Sequence, residues 1–383
     1  MNSFKHLKVV ELASVLAGPS VGAFFAELGA TVIKIENPKT KGDVTRSWRL
    51  KDENECTNST YFSSVNFGKF SVALNIAHAK GLSVLYQIIK DADIVISSYK
   101  PGDAEKLGVA YADLIKVNPT IIYGHITGYG DFSERAGYDA IIQAESGFME
   151  MNGTECPTKM PVALMDVLAG HQLKEGILVA LIEKGITGEG KYVPVSLYQS
   201  AISGLANQAS NFLMTHLVPE RMGSDHPNIV PYGTTFSCKH DERIVLAVGS
   251  DVQYAHLTDI LGIENKFKTN AERVLNRAEV NTKIQNALAQ VERNLFIEKC
   301  HLKKVPVGEL NTLADVFKKQ ISQNMVHQSV HEKAVRQIAF NQTVNIQRKP
   351  PQFGQDTRTI CQLYLTEEEI EQLIDETILF CSE

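Results

Sequence analysis

One carboxylate in this sequence has a setting that suits covalent chemistry. Asp166 closes the apolar run 161–165 and opens a second apolar stretch that reaches Gly170. An aspartate in this position predicts a helix N-cap, because its side-chain oxygen can accept a hydrogen bond from an orphan backbone N–H. The same setting predicts a partly desolvated carboxylate near a helix N-terminus, which suits a carboxylate nucleophile. The two interpretations are compatible.

Other common reactive motifs do not occur in the sequence. The glycines of the first predicted turn, Gly18 and Gly22, do not form the G-x-G-x-x-G dinucleotide fingerprint, and no segment forms a P-loop. Neither an H-E-x-x-H motif nor a Cys/His spacing typical of zinc is present, so we predict no metal site. The G-x-S-x-G elbow of serine hydrolases is also missing. A helix N-terminus can still bind a phosphate without these motifs.

Alternating strands and helices position Asp166. The runs 8–12 and 31–35 are short and apolar, and residues 21–28 between them have apolar side chains at helical spacing. This pattern predicts a βαβ unit and a mainly parallel, Rossmann-like α/β sheet whose ligands bind at the carboxyl ends of the strands. The further predicted strands are 93–97, 120–126 and 191–195, and the further predicted helices are 79–90, 111–117, 166–182 and 196–214.

Length and linker composition predict more than one structural unit. At about 150 residues per domain, a chain of 383 residues suggests two or three units. The segment 216–231 is rich in Pro, Gly and charge, which is typical of a linker. After it, the pattern predicts a smaller α/β unit that ends near Thr312. Residues 366–380 are predicted to form a terminal amphipathic helix.

Composition and charge restrict the class of protein. With 44% hydrophobic and 21% charged residues, the chain has the composition of a soluble globular protein. Its formal charge of −6 provides no global positive field for nucleic acid or anionic lipid. No signal core or membrane-length apolar run is present, so we predict a cytoplasmic protein with no nucleic-acid or membrane partner. Unpaired thiols are predicted for the six dispersed cysteines, Cys56, Cys156, Cys238, Cys300, Cys361 and Cys381.

Many short segments together resemble the family III CoA-transferases, a family that also includes α-methylacyl-CoA racemase. The likeness covers nearly the whole chain, and the order and spacing of the segments carry it more than any single motif does. The matching segments are Leu16-Ala17-Gly18-Pro19, Leu28-Gly29-Ala30, Ile33-Lys34-Ile35-Glu36, Gly42-Asp43, Ser71-Val72-Ala73-Leu74-Asn75, Pro101-Gly102, Gly137-Tyr138-Asp139, Asp166 with Ala169-Gly170, and Val195-Ser196-Leu197.

The resemblance implies a fold, an assembly and a mechanism. The fold would be a Rossmann-like, CoA-binding large domain in residues 1–215, a linker and smaller α/β domain in 216–330, and a return to the large domain in 331–383. Two such chains would form an interlaced homodimer. Asp166 would attack an acyl-CoA thioester to form an acyl-aspartyl anhydride and then an aspartyl-CoA thioester, on which a small carboxylic acid acts. No cofactor beyond CoA or acyl-CoA, as substrate, is implied.

The resemblance also implies where CoA binds. A polyanionic coenzyme needs cations on its phosphates and an apolar slot for its adenine. The implied CoA-binding residues are Leu16, Ala17, Lys39, Leu74, Asn75, Ser98, Tyr99, Lys100, Lys106, Arg135, Tyr138 and Asp139. Several cations frequent in the family are replaced here, for example by Phe67, Phe70 and Ala77, so CoA is expected to be held differently or less tightly.

Two alternative functions are distinguished by single residues. In the racemase branch a histidine in a Gly-His-Asp motif moves the α-proton of a 2-methylacyl-CoA, and here the matching position is Tyr138, a poor base at neutral pH. His125 lies outside the motif and is predicted to be a strand-end residue. A CoA-binding relative without activity would fit the missing cations, whereas the retained Asp166 favours a transferase.

Overall fold

The computed structural model describes residues 3–54, 57–340 and 348–382, and it divides into two compact units. The larger unit comprises Met1–Ser146, Met160–Thr215 and Asn324–Glu383, and the smaller one comprises Gly147–Lys159 and His216–Gln323. The division differs from the sequence-based boundaries in three ways. The smaller unit ends at Gln323 instead of near Thr312, and the return to the larger unit comes at Asn324 instead of residue 331. In addition, a separate short segment, Gly147–Lys159, belongs to the smaller unit.

A seven-stranded sheet forms the centre of the larger unit. Its strands are β1 Lys8–Leu12, β2 Thr31–Glu36, β3 Phe70–Leu74, β4 Ile94–Ser97, β5 Ile122–Thr127, β6 Lys191–Ser196 and β12 Leu379–Phe380. The order is β12-β3-β2-β1-β4-β5-β6, and all neighbours are parallel except β12, which pairs antiparallel with β3. The order 3-2-1-4-5-6 is that of the doubly wound nucleotide-binding sheet, so the predicted Rossmann-like α/β architecture is present.

Helices connect and cover these strands. They are α1 Ala17–Glu27, α2 Thr60–Ser63, α3 Ala79–Lys90, α4 Asp103–Lys106, α5 Tyr111–Val117, α6 Asp139–Glu145, α8 Leu164–Thr187, α9 Leu197–Gly204, α10 Ala206–Thr215, α17 Thr357–Cys361 and α18 Glu367–Asp375. Two 3-10 turns, Pro38–Thr40 and Val44–Ser47, and a small hairpin of β10 Val326–Gln328 and β11 Lys333–Val335 complete the unit. Apolar residues of β1 to β5, α3 and α18 form one buried core.

The smaller unit packs helices against a three-stranded antiparallel sheet. Its strands are β7 Tyr232–Ser237, β8 Arg243–Ala247 and β9 Val307–Glu309, in that order. The helices are α7 Phe148–Met151, α11 Asp251–Leu261, α12 Asn270–Leu275, α13 Arg277–Leu288, α14 Arg293–Leu302, α15 Leu313–Val316 and α16 Gln320–Gln323, with a 3-10 turn at Lys239–Asp241. Residues of β8, α11, α13 and α14 form a second core. This unit is α/β, as predicted.

Two local predictions are wrong. The sequence predicts a terminal helix over 366–380, but α18 ends at Asp375 and Leu379–Phe380 forms the edge strand β12. The predicted helix 196–214 is divided into α9 and α10, and Ala206 at the junction has a positive φ of 47°. In both places the apolar pattern indicates a helix correctly, but periodicity alone does not determine where a helix stops.

The cysteines and the helices of the described regions can be compared with the sequence predictions. Cys156, Cys238, Cys300, Cys361 and Cys381 are free thiols, as predicted, and Cys56 lies outside the described residues. Within ranges 3–54, 57–340 and 348–382, no helix has the length and apolarity that a membrane crossing requires.

Candidate active site

Two adjoining cavities of the larger unit lie at the carboxyl ends of β1 and β4, where the strand order reverses direction. The first has a volume of about 180 Å³, and we call it the Asp166 cavity. The second, of about 280 Å³, is called the Lys34 cavity. Both are lined by Ser14, Ser98 and Tyr99. Doubly wound sheets bind their ligands at this reversal point, so the cavities are the expected place for a ligand.

Asp166 lies in the first turn of α8, but it does not cap that helix. The helix begins at Leu164, and its N-cap residue is Ala163, which makes no side-chain cap hydrogen bond. The predicted N-cap role of Asp166 is therefore wrong. Instead, Oδ1 of Asp139 accepts a hydrogen bond of 2.9 Å from the backbone N–H of Met165. Because a neighbouring segment supplies this cap, the carboxylate of Asp166 is left free for other contacts.

The environment of Asp166 favours its neutral form. Only 8% of the residue is exposed, and within the described parts of the chain no hydrogen bond reaches its carboxylate. Burial raises the pKa of Asp166 to about 7, and the negative charge of Asp139 adds to this effect. A carboxylate that titrates near neutrality and has lost most of its solvation is a reactive group at a candidate site.

Gln143 connects the surrounding segments to one another. Its Nε2 donates a hydrogen bond of 2.8 Å to Oδ2 of Asp139, and its Oε1 accepts one of 2.9 Å from the backbone N–H of Met160. Gln143 itself is buried, so these hydrogen bonds are shielded from water. The start of α6, the segment that leads into α8, and α8 itself are therefore held in one arrangement around Asp166.

A close approach of two glycines sets the position of the segment that carries Tyr138 and Asp139. A Cβ atom at Gly128, just after β5, would lie 2.6 Å from Cα of Gly137. Real Cβ atoms do not approach backbone this closely, so only glycine allows the two segments to touch. This contact brings the start of α6 against the carboxyl end of the sheet.

Gly137→Ala is therefore expected to lower activity at least about tenfold and to reduce the free energy of unfolding by about 2 kcal/mol, because its methyl group would overlap Cα of Gly128. Gly185→Ala is the matched control. Gly185 is exposed within α8, and a Cβ atom there would meet no atom of the described chain within 4 Å, so alanine should be neutral or stabilising. Equal effects of both substitutions on steady-state activity and urea unfolding would contradict the role of the glycine contact.

Most of the predicted CoA-binding residues meet at these cavities. Those lining the Asp166 cavity together with Asp166 are Leu16, Ala17, Ser98, Tyr99, Lys100, Arg135 and Tyr138. Leu74 lines the Lys34 cavity. Asp139 lies beside the first cavity, where it hydrogen-bonds to Gln143 and to the start of α8.

The two cations of the Asp166 cavity differ in their availability. Arg135 forms an ion pair of 2.6 Å with Glu145, and its guanidinium lies 4.3 Å from the centre of the Tyr129 ring. Lys100 is exposed, and in the described chain no acidic group pairs with its ammonium. Lys100 is thus the cation of this cavity that can bind an incoming anion without first breaking an ion pair.

Besides Asp139, three predicted CoA contacts lie outside the linings of both cavities. Lys39 lines a separate cavity of about 590 Å³ together with Arg358 and Cys381. Lys106 is exposed and lies 3.5 Å from Asp103 in a surface ion pair. Asn75 is buried, and its Oδ1 has no hydrogen-bond partner among the residues that the structure describes. The structure therefore does not bring these three residues together with Asp166.

Sequence analysis missed a buried ionic cluster that forms part of the Lys34 cavity. The Lys34 ammonium lies 2.9 Å from Oε1 of Glu11 and 2.9 Å from Oδ2 of Asp43, and it donates a hydrogen bond to the carbonyl of Ala13. Burial lowers the pKa of Lys34, but the charges of Asp43, Glu11 and Glu36 outweigh it and raise the pKa overall. The available signal was a lysine inside an apolar strand, because a buried lysine requires a buried partner.

Tyr61 was also missed. Burial raises the pKa of its phenol, and the charges of Asp166 and Asp139 raise it further, which places the ring in the electrostatic field of the site. The ring packs edge to face against Trp48, with centroids 5.1 Å apart. No motif or spacing in the sequence connects Tyr61 with Asp166, which lies on a different segment.

A doubly wound sheet with a desolvated carboxylate at its reversal point defines an α/β ligand-binding protein with a candidate nucleophile. Comparison with known proteins identifies the family. The profile of CoA-transferase family III matches residues 4–357, and the chain belongs to this family. It is an enzyme of the CoA-transferase class, as the sequence resemblance predicted.

Similar proteins agree with this assignment. The succinate–glutarate CoA-transferase of Agrobacterium fabrum is 35% identical over 81% of this chain and 80% of that protein. The human succinyl-CoA:glutarate CoA-transferase is 35% identical over 94% of this chain and 86% of that protein. The crystal structure of a CAIB/BAIF family protein from Brucella suis is similar with a TM-score of 0.81 and 34% identity, over 93% of this chain and 98% of that one.

Proposed function

We propose that the protein transfers CoA from an acyl-CoA to a free carboxylic acid through covalent intermediates on Asp166. The observation that carries the proposal is the isolated, desolvated carboxylate of Asp166 in a cavity at the reversal point of a doubly wound sheet. A carboxylate that has lost its hydration shell is a stronger nucleophile than one in water. At neutral pH a large share of Asp166 is ionised, because its pKa is raised to about 7 and no further.

The reaction would proceed in four steps. The Asp166 carboxylate attacks the thioester carbonyl, the C–S bond breaks, and CoA leaves as a thiolate from an acyl-aspartyl anhydride. The thiolate attacks the aspartyl carbonyl and releases the donor acid, which leaves an aspartyl-CoA thioester. The acceptor carboxylate attacks this thioester, expels the thiolate and forms a second anhydride, between the acceptor acid and Asp166. The thiolate then attacks the acyl carbonyl of the second anhydride, which forms the product acyl-CoA and regenerates Asp166.

The start of α1 supplies donors for the developing negative charge. Ala17 and Gly18 form the first turn of α1 and line the Asp166 cavity. The first N–H groups of a helix have no intrahelical partners and carry partial positive charge. They are therefore suited to stabilise an oxyanion or a bound carboxylate.

CoA is proposed to lie across the two cavities, with its thiol end near Asp166. The shared wall of Ser98 and Tyr99 would contact the coenzyme on the way, and Leu74 would contact it in the Lys34 cavity. Lys100 would bind a phosphate of CoA. Lys39, Lys106 and Asn75 stay predicted contacts outside the two cavities.

Lys100→Met is expected to weaken CoA binding about tenfold, because it removes an unpaired cation from the cavity wall. Isothermal titration of CoA into the protein measures the effect. Lys116→Met is the matched control, since Lys116 is exposed and pairs with Asp113 on the surface. An unchanged dissociation constant for Lys100→Met would contradict the proposed position of CoA.

Dicarboxylic acids are the proposed acyl groups. The support is that relatives 34–35% identical over most of the chain are named for succinate or succinyl-CoA and glutarate. Assays with succinyl-CoA as donor and glutarate, mesaconate, malate and oxalate as acceptors test this proposal. Transfer to monocarboxylic acids alone would contradict it.

The racemase alternative receives no support from the position of the histidine nearest the motif. The ring nitrogens of His125 are hydrogen-bonded to the Tyr99 carbonyl and the Tyr192 hydroxyl, and His125 does not line the Asp166 cavity. Deuterium incorporation at the α-carbon of a 2-methylacyl-CoA would nevertheless identify a racemase. Trapping with hydroxylamine after incubation with acyl-CoA would instead modify Asp166 in a transferase.

A second copy of the chain is proposed to cover apolar surface of the larger unit, as an interlaced homodimer would. None of the residues of α10 is buried, although the helix carries Phe212, Leu213 and Met214. The long helix α8 likewise exposes Ile182 and Ile186. Exposed apolar surface of this extent is typical of a subunit interface. Light scattering on the purified protein measures the mass, and a monomer at micromolar concentration would contradict the proposal.

A further inference from the structure

A buried histidine holds the wall that the two cavities share. His125 lies in β5 and is 6% exposed. Its Nε2 lies 2.9 Å from the backbone carbonyl oxygen of Tyr99, and its Nδ1 lies 2.8 Å from the hydroxyl of Tyr192 and 3.4 Å from Oδ1 of Asp131. The Tyr192 hydroxyl in turn donates a hydrogen bond of 2.8 Å to Oδ2 of Asp131.

The hydrogen-bond partners of His125 determine how many hydrogens its ring carries. A carbonyl oxygen only accepts hydrogen bonds, so Nε2 of His125 must carry a hydrogen. Tyr192 has one hydroxyl hydrogen, and burial together with the hydrogen bond to Asp131 raises the pKa of its phenol, so the hydroxyl stays protonated. If this hydrogen points to Asp131, then Nδ1 must carry a hydrogen of its own to bond to the Tyr192 oxygen.

A Tyr192 hydroxyl hydrogen that points to His125 instead of Asp131 is unfavourable. If Tyr192 donated its hydrogen to Nδ1, its oxygen lone pairs would face the Asp131 carboxylate at 2.8 Å. The carboxylate would then lose its donor and gain a repulsive contact. Two ring hydrogens on His125 satisfy all four groups, and the resulting positive charge is balanced by Asp131.

We propose that His125 is a positioning residue that acts as an imidazolium: it ties the Tyr99 carbonyl to Asp131 and thereby holds the segment 98–101 in the conformation that binds CoA. The proposal rests on the CoA-binding role proposed above. Ser98, Tyr99, Lys100 and Pro101 all line the Asp166 cavity, so movement of this segment would displace the unpaired cation of Lys100.

The charges around the cluster determine the direction of its pH dependence. Asp131 faces His125 from the loop after β5, Tyr192 from β6, Tyr99 from the segment after β4, and Tyr123 packs beside it within β5. At longer range Glu105 acts on Tyr192, and Lys34 acts on Tyr99. Asp131 carries the charge that balances the ring, so its removal leaves the hydrogen on Nδ1 without a counter-charge. CoA should then bind less tightly to Asp131→Asn than to the wild type at neutral pH.

Nitrogen-15 spectra of the histidine side chains test the protonation state without any ligand. The signal of His125 is assigned by its loss in His125→Phe. Both ring nitrogens should have the shifts of protonated imidazolium nitrogens at about pH 7, and in Asp131→Asn the Nδ1 signal should move toward that of an unprotonated nitrogen at the same pH. A neutral ring with an unprotonated Nδ1 at about pH 7 would overturn the proposal.

Titration of CoA at several pH values tests the positioning role. His125→Phe is expected to weaken CoA binding about tenfold at about pH 6.5. Asp131→Asn, a change at an exposed loop residue, should bind CoA normally at low pH and less tightly than the wild type as the pH rises. His256→Phe is the matched control, because His256 also hydrogen-bonds a backbone carbonyl, that of Lys303, but is exposed in the smaller unit.

The outcomes separate this inference from the proposed function. Identical pH profiles of CoA binding for the wild type and Asp131→Asn would overturn the positioning role, while CoA binding itself would still support a transferase. No CoA binding by the wild type would overturn the proposed function, and the positioning role with it. A loss of thermal stability in His125→Phe without any change in CoA affinity would indicate a structural role only and would also overturn the inference.

Discussion

Asp166→Asn is expected to lower kcat/KM for CoA transfer by at least about 10³-fold, because an amide cannot form the anhydride on which every later step depends. Asp166→Ala should have the same effect for the same reason. CoA binding should remain in both variants, since the proposed phosphate and wall contacts are made by other residues. Steady-state assays with succinyl-CoA and glutarate, together with titration of CoA, measure the two effects separately.

Two further measurements exclude trivial explanations of lost activity. Asp91→Asn is the matched control, because Asp91 is exposed and lies 3.7 Å from Lys8 in a surface ion pair. It should have the activity of the wild type. Hydroxylamine should label the wild type at residue 166 after incubation with acyl-CoA and should leave Asp166→Asn unlabelled. Activity within tenfold of the wild type in Asp166→Asn would place the nucleophile at another residue.

The second prediction concerns the free energy of unfolding. The pKa of Asp166 is about 7 in the folded protein, whereas an unfolded aspartate titrates at about 3.9. Between these values the folded state binds more protons than the unfolded state, so the stabilising contribution is fully present below about pH 4 and is lost as the pH rises through about 7. The total change is about 4 kcal/mol, because one pKa unit corresponds to about 1.4 kcal/mol.

Asp166→Asn removes this dependence. The free energy of unfolding of the variant minus that of the wild type should therefore increase by about 4 kcal/mol between about pH 4 and pH 8, whatever its value at the acid end. Urea unfolding at a series of pH values measures the difference. Asp139→Asn should produce a smaller change of the same sign, since the charge of Asp139 is the lesser cause of the raised pKa. A difference that stays constant with pH would show that Asp166 titrates normally.

The sequence allowed the architecture and the key carboxylate to be predicted because both depend on local patterns. The βαβ start follows from the strands 8–12 and 31–35 with a helical stretch between them, and the structure has β1, α1 and β2 there. Asp166 was distinctive because it is the one charged residue in an apolar stretch of ten residues, 161–170. Signals of this kind lie within one segment and need no knowledge of the packing.

Features that depend on contacts between distant segments could not be predicted. The cap of α8 comes from Asp139, 26 residues before Met165, so the local pattern gave the wrong cap. Lys39 and Lys106 were predicted from the resemblance alone, and the structure places both outside the two cavities. His125 was predicted to be a strand-end residue, and its side-chain partners, Asp131 and Tyr192, lie on other segments.

The pairing of β3 with the C-terminal segment affects how the chain can fold during its synthesis. The backbone N–H of Ala73 in β3 donates a hydrogen bond to the hydroxyl of Thr357, 284 residues later in the sequence, and β12 pairs with the same strand. During synthesis these partners leave the ribosome only after β3 and the whole smaller unit have emerged. Until then β3 is an unprotected edge, to which strands of other nascent chains can add. A chaperone that binds extended segments would protect this edge until Thr357 and β12 have emerged.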